Sequence, residues 1–250
     1  EVRNLTKRYG ATPVVDNVSL TIPRGAITSF IGPNGAGKST LLGMISRLLP
    51  RDGGEVLIDG QELGQVPTGE LAKRLAILKQ ENHVSVRLTV RELVSFGRFP
   101  YSQGRLTRDD WRRVDEAIAY MELGDLQGRY LDQLSGGQRQ RAFVAMVLCQ
   151  DTDYILLDEP LNNLDLKHAV QIMQTLRRLV RDLGKTIVLV LHDINFASCY
   201  SDTIVALRGG RVVGQGPAAQ IIETQKLRDI YDMDIRIEMI DGDRIGVFYR

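Results

Sequence analysis

The sequence predicts an α/β fold. Helices flank a mixed sheet, an antiparallel β subdomain sits at the N-terminus, and an α-helical subdomain is inserted into the core. Three observations predict it. Apolar runs at residues 27–31, 75–78 and 154–157 read as buried strands, and helical patterns alternate with them. From about Thr89 to Leu134 the pattern turns helical, and a further amphipathic helix runs from about Arg139 to Gln150. Between the strand at 27–31 and a helical run at 38–49 stands Gly32-Pro33-Asn34-Gly35-Ala36-Gly37-Lys38-Ser39. This fits G-x-x-x-x-G-K-[ST] in the strand–loop–helix setting of the P-loop, so the core is that of a P-loop NTPase.

The elements follow in order. Residues 1–23 read as strands, and Val18-Ser19-Leu20-Thr21-Ile22 alternates apolar with polar, which buries one face. Tyr9 lies in an apparent loop, where its ring packs on the surface or offers a base a stacking platform. Arg24-Gly25 turns the chain into the P-loop strand. Gly35 and Gly37 permit a tight turn and bring N–H groups close to phosphate oxygens. The helix starting near Lys38 aims its unpaired N–H groups and positive dipole end at the same anion. Gly32, Pro33, Asn34, Ala36 and Thr40 complete the wrap. The motif gives Lys38 the β- and γ-phosphates of ATP and gives the Ser39 hydroxyl to Mg²⁺.

A turn cluster at 50–54 precedes the strand 55–58, and a short helix enters at Pro67 and runs to 74. The strand 75–78 ends in Lys79-Gln80-Glu81-Asn82. Thr89-Val90-Arg91-Glu92 has capping-box spacing, and Thr107 to Asp110 repeats it. Trp111, Val114, Ile118 and Met121 then mark one apolar face, so Trp111 is expected in the core. Gly97-Arg98-Phe99-Pro100-Tyr101 breaks the helices and exposes aromatics. Residues 89–150 thus form the helical subdomain, with 1–88 and 151–250 as the β and P-loop core.

Leu134-Ser135-Gly136-Gly137-Gln138 opens an amphipathic helix at 139–150. Paired glycines there are either a hinge or a second anion site made of the Ser135 hydroxyl, glycine N–H groups and the helix dipole. Tyr154-Ile155-Leu156-Leu157 is a buried strand that ends in Asp158-Glu159. Active residues sit at the carboxyl ends of parallel strands. Asp158 is expected to hold Mg²⁺ through water, and Glu159 to orient or deprotonate the attacking water. A helix at about 167–182 ends at Gly184, and a strand at 186–191 delivers His192 toward phosphate, with Asp193 capping the next helix. Residues 203–250 alternate short strands and helices, with hairpin turns at Gly209-Gly210 and Asp241-Gly242, and carry no evident chemistry.

Composition bounds the function. The 250 residues are 43% hydrophobic and 25% charged, as expected of a globular protein. A net charge of +1 gives no electrostatic footprint for nucleic acid or an anionic bilayer. No apolar run reaches membrane-spanning length, and no secretory signal pattern opens the sequence as given. Cys149 and Cys199 read as buried thiols of a reducing compartment, and His83, His168 and His192 are too scattered to suggest a metal site.

Together these motifs resemble the ATP-binding-cassette ATPases over essentially the whole chain. Order and spacing agree: P-loop at 32–39, Gln80 as Q-loop, the LSGGQ signature at 134–138, Asp158 with Glu159 adjacent, a D-loop ending at Asp165, and His192 as switch histidine. The resemblance implies that Tyr9 stacks on adenine and that Gln80 joins Ser39 and Asp158 around Mg²⁺. It implies catalytic roles for Lys38, Gln80, Glu159 and His192. It also implies a head-to-tail dimer with a second copy, in which Ser135, Gly136, Gly137, Gln138 and Asp165 face the partner's ATP.

Gly97 to Tyr101, Leu161-Asn162-Asn163-Leu164-Asp165 and His192-Asp193-Ile194-Asn195-Phe196 resemble the ATPase subunits of bacterial iron–siderophore importers. Vitamin B12 and haem importers are close in pattern, and a soluble cassette ATPase is a further alternative. The importer reading implies two integral membrane permease subunits and a peripheral place at the cytoplasmic face of the inner membrane. It implies indirect partnership with a periplasmic or lipid-anchored binding protein. A permease helix is expected to dock around residues 80–105.

Overall fold

The computed structural model describes residues 1–80, 82, 84–162 and 164–248. Glu81 and Asn163 of the expected loop motifs, His83, and Tyr249 and Arg250 of the tail lie outside the described residues. The first part of the chain holds β1 (Val2–Tyr9), β2 (Thr12–Leu20), β3 (Ile27–Ile31), α1 (Lys38–Ile45), β4 (Gly53–Ile58), β5 (Gln61–Glu62), α2 (Thr68–Arg74) and β6 (Leu75–Leu78). Helices follow: α3 (Val90–Ser95), α4 (Phe99–Ser102), α5 (Arg108–Tyr120) and α6 (Gly136–Cys149). The chain continues with β7 (Tyr154–Asp158), α7 (Leu166–Leu183), β8 (Thr186–Val190), α8 (Ile194–Tyr200), β9 (Thr203–Arg208) and β10 (Arg211–Gly216). It closes with α9 (Ala218–Ile221), α10 (Thr224–Tyr231), β11 (Arg236–Ile240) and β12 (Asp243–Val247).

The central sheet is ordered β10-β9-β3-β8-β7-β6. Its strands β6, β7, β8, β3 and β9 pair in parallel, and β10 joins antiparallel, so the sheet is mixed as expected. A second sheet, β2-β1-β4-β5, is antiparallel. The central strands are apolar throughout because both faces are covered. Ile155 and Leu157 enter one core with Ile187 and Leu189, beneath α3, α5, α6 and α7. Leu156, Val188 and Val190 enter the other, against α1 and the antiparallel sheet. The sheet is the wall between two cores, and its carboxyl edge gathers the ends of β3, β6, β7 and β8.

Four expectations are corrected locally. The helix after the P-loop ends at Ile45 and does not reach 49, because Arg47 takes φ 62° and the Leu48 and Leu49 N–H groups return to Gly43 O at 2.9 Å. Tyr9 ends a strand instead of lying in a loop: it closes β1 opposite Thr12 and is 55% exposed. Trp111 is not core; it is 37% exposed, with the Arg91 guanidinium 5.0 Å from its ring. The inward position of that first helical turn is Asp110, buried against Arg98 at 2.9 Å, while Val114, Ile118 and Met121 are buried below it. Cys149 is buried but Cys199 is only half-buried. Both Thr89 and Thr107 cap their helices in full capping boxes, and Asp193 caps α8.

Candidate functional site

β3 delivers the P-loop to the middle of the carboxyl edge. Around this loop Ala36 N–H donates to Pro33 O at 3.2 Å and Leu41 N–H to Gly37 O at 2.8 Å. Among the described residues, the N–H groups of Gly35, Gly37, Lys38, Ser39 and Thr40 have no such acceptor. They form a cradle of unmet donors at the positive end of α1, which is an anion site by construction. Gly37 is required here: it takes φ 95°, and a Cβ on it would stand 2.5 Å from Val14 O.

Lys38 is 5% exposed, and its Nζ donates to Gly32 O at 2.8 Å and Pro33 O at 3.0 Å. Burial pulls its pKa down, against the nearby Glu159 and Asp158 charges. The Ser39 hydroxyl donates to Asp158 Oδ1 at 2.9 Å. Burial pushes the Asp158 carboxyl up; the Ser39 bond opposes this and the Glu159 charge adds to it. This corner therefore holds negative charge that solvent does not fully stabilise, next to a serine oxygen, and it suits a hard cation. Among the described residues no group of three or more His, Cys, Asp or Glu side chains could hold a metal alone. Mg²⁺ does not need one, since it is usually held by one or two protein groups plus phosphates and water.

Glu159 is 9% exposed with φ 51°. Three side chains from separate segments meet it. Gln80 Nε2 donates to Oε2 at 2.7 Å, His192 Nε2 lies 2.6 Å from Oε1, and Asn162 Nδ2 donates to Oε2. The cavity these residues share measures about 340 Å³ and is lined by Val14, residues 34–40, Gln80, Glu159 and His192.

The structure thus brings Asn34, Gly35, Ala36, Gly37, Lys38, Ser39, Thr40, Gln80, Glu159 and His192 to one cavity, with Asp158 bonded into it through Ser39. Tyr9, Ser135, Gly136, Gly137, Gln138 and Asp165 are not in its lining. Ser135 is the N-cap of α6, in a capping box with Gln138 that the S-x-x-Q spacing could have announced. Asp165 caps α7; the His168 N–H and ring hold its carboxyl below the usual range.

Two site residues escaped the sequence reading. In the sequence Asn162 is only one residue of the D-loop pattern, yet its amide donates to Glu159. Tyr231, in the tail expected to carry no chemistry, accepts the Gly32 N–H at 3.1 Å on its hydroxyl. Burial pushes that phenol up to about 12, opposed by the Gly32 bond. No sequence signal marks this contact.

Comparison with known proteins agrees with the geometry. Residues 15–162 match the model of the ABC transporter family. The petrobactin import ATP-binding protein YclP of Bacillus subtilis is 63% identical over 249 residues, covering 100% of this chain and 99% of its own. The ferric enterobactin transport ATP-binding protein FepC of Escherichia coli is 41% identical over 247 residues, covering 97% of this chain and 89% of its own. Among solved structures, the bacterial ABC transporter cassette MJ0796 in dimeric form superposes with a TM-score of 0.77 at 34% identity, covering 87% of this chain and 97% of that one. The same cassette is also known as a dimer in a post-hydrolysis state bound to ADP and Pi.

Proposed function

The chain belongs to the ABC transporter family, and from that premise we propose that it is the ATP-hydrolysing, energy-coupling subunit of a bacterial importer of iron–siderophore complexes. One observation carries the activity: a single cavity joins an unmet N–H cradle, a Ser39–Asp158 pair and a carboxylate, Glu159, held beside Gln80 and His192. That set supplies what phosphoryl transfer to water needs, namely positioning and charge stabilisation. The cargo class rests on relatives named for petrobactin and ferric enterobactin transport.

The residue roles follow from placement. The cradle N–H groups bind the β- and γ-phosphates. Lys38 leaves the Gly32 and Pro33 carbonyls and turns its ammonium to the same oxygens. Ser39, Asp158 and Gln80 would hold Mg²⁺, which would neutralise phosphate charge. Glu159 orients and deprotonates water, and His192 contacts the terminal phosphate. Tyr9 offers its exposed ring to adenine. Ser135, Gly136, Gly137, Gln138 and Asp165 serve the nucleotide of a second copy. ATP gripped from both sides favours the closed pair, and its hydrolysis releases it. The dimeric form of MJ0796 supports this arrangement.

The rest of the assembly belongs to the same reading. Residues 89–150 act as the helical subdomain beside a core of 1–88 and 151–250. Phe96, Phe99 and Tyr101 are 52%, 59% and 40% exposed, and they offer an apolar landing for a helix of one of two permease subunits. Among the described residues no helix is long and apolar enough to cross a membrane. In this reading the chain binds the cytoplasmic face through those partners. A substrate-binding protein meets the complex from the opposite side. The deciding experiment is reconstitution with permeases and binding protein: ATP-dependent uptake of a ferric siderophore is expected. Co-purification without uptake of any iron chelate would refute the cargo class.

A further inference from the structure

The signature turn and the D-loop lie more than twenty residues apart in sequence, yet one side chain joins them. His168 stands in the first turn of α7. Its Nδ1 lies 2.7 Å from Asp165 Oδ1, and its backbone N–H donates to the same oxygen at 2.9 Å. The other face of its ring is the floor under Gly137. A Cβ built on Gly137 would stand 2.7 Å from His168 Cγ and 3.0 Å from both Cδ2 and Nδ1. The ring is pinned by Asp165 and is no flexible chain end, so it could not swing aside cheaply. Gly137 is buried there, while Ser135 and Gly136 beside it are exposed.

Neither partner needs this histidine for its own local structure. Ser135 and Gln138 already close the capping box of α6, with Ser135 N–H to Gln138 Oε1 at 3.1 Å and Gln138 N–H to Ser135 Oγ at 3.3 Å. Asp165 would cap α7 through the backbone N–H of any residue at 168. What the His168 side chain adds is a rigid connection between the two segments.

We propose that His168 is a positioning residue that locks the signature turn to the D-loop, so that both reach the second copy's nucleotide as one rigid unit. The proposal rests on the reading that two copies sandwich ATP. His168 is not among the described residues that line the P-loop cavity of its own chain.

The test uses the full chain carrying Glu159→Gln to slow turnover. Self-association driven by Mg-ATP is followed by sedimentation, and binding to the chain's own P-loop by a fluorescent ATP analogue at dilutions where the chain is monomeric. Adding His168→Ala is expected to weaken self-association roughly tenfold or more, since misplacement of binding groups by an ångström is costly. Monomer affinity for the analogue should stay within about twofold, because the histidine lies outside that site. His168→Asn, whose amide can replace the bond to Asp165, should recover most of the loss, whereas His168→Leu, which fills the space without that bond, should not; equal rescue by Leu would overturn the proposal. Self-association of the folded His168→Ala protein at parental strength would overturn the proposal alone. Failure of the Glu159→Gln parent to self-associate would overturn the sandwich reading and this proposal with it.

Discussion

Tyr231→Phe removes one oxygen and nothing else. The ring stays, so no cavity opens, and the loss falls on the Gly32 N–H, which donates to that hydroxyl at 3.1 Å. Gly32 is buried at the root of the P-loop, and its carbonyl holds Lys38 Nζ at 2.8 Å. Stranding a buried donor costs about 1–3 kcal/mol. Because the site is only partly closed, water can recover some of this, and about 1–2 kcal/mol is expected. For a chain of this size that lowers Tm by roughly 2–8 °C. If the same bond holds the loop in its phosphate-binding shape, the part of this free energy that the ligand-free loop recovers by relaxing appears instead as a higher nucleotide Kd, up to about 5- to 30-fold, with the Tm loss reduced to match. Thermal unfolding of the ligand-free protein and equilibrium binding of ATP measure the two effects separately. A lowered Tm with unchanged Kd would refute the claim that Tyr231 shapes the loop for nucleotide. No change in either would refute the hydrogen bond itself.

Four further outcomes are expected. Glu159→Gln should slow steady-state hydrolysis by about 10²–10⁴-fold, as loss of a general base does; turnover at the parental rate would remove Glu159 from that role. Lys38→Ala should weaken ATP binding as well as hydrolysis, checked by titration calorimetry. Arg98→Ala should destabilise the chain by about 3–5 kcal/mol, because it strands Asp110 in a pair whose side chains are only 7% and 6% exposed. Burial raises the Asp110 carboxyl, but the Thr107 and Arg98 bonds outweigh it and hold the carboxyl below the usual range. The stabilisation from Asp110 is therefore complete above about pH 4 and is lost as pH falls through its lowered value, so urea midpoints of parent and variant should converge in strong acid. Phe99→Ala should leave hydrolysis by the isolated subunit intact and reduce uptake in the reconstituted transporter.

Much of this site is legible in sequence because backbone conformation dictates it. Gly37 must be glycine to take φ 95° beside Val14 O, and Thr89, Thr107 and Asp193 cap their helices by rules that span three or four residues. The strands were readable for a different reason: burial on both faces leaves only apolar runs. What stayed hidden is tertiary. Tyr231 meets Gly32 across 199 positions. Gly137 looks like a flexible residue until the His168 ring is seen beneath it. Trp111 and Asp110 exchanged their expected places because helical spacing fixes a face but not what covers it. An ion pair with Arg98, twelve residues back, turned the acid inward.

Three side chains from different segments restrain Glu159 in this structure. A carboxylate offers about four acceptor sites, and Gln80, His192 and Asn162 meet three of them. Its three partners are not its neighbours on one element. They come from the end of β6, the end of β8 and the loop after β7, so each can be withdrawn only by moving a different part of the edge. Gln80 leads directly into the segment before α3, which joins the core to the exposed aromatics around Phe99. β7 lies between β6 and β8 in the sheet, so Glu159 at its end is restrained from both neighbouring strands, by Gln80 after β6 and by His192 after β8.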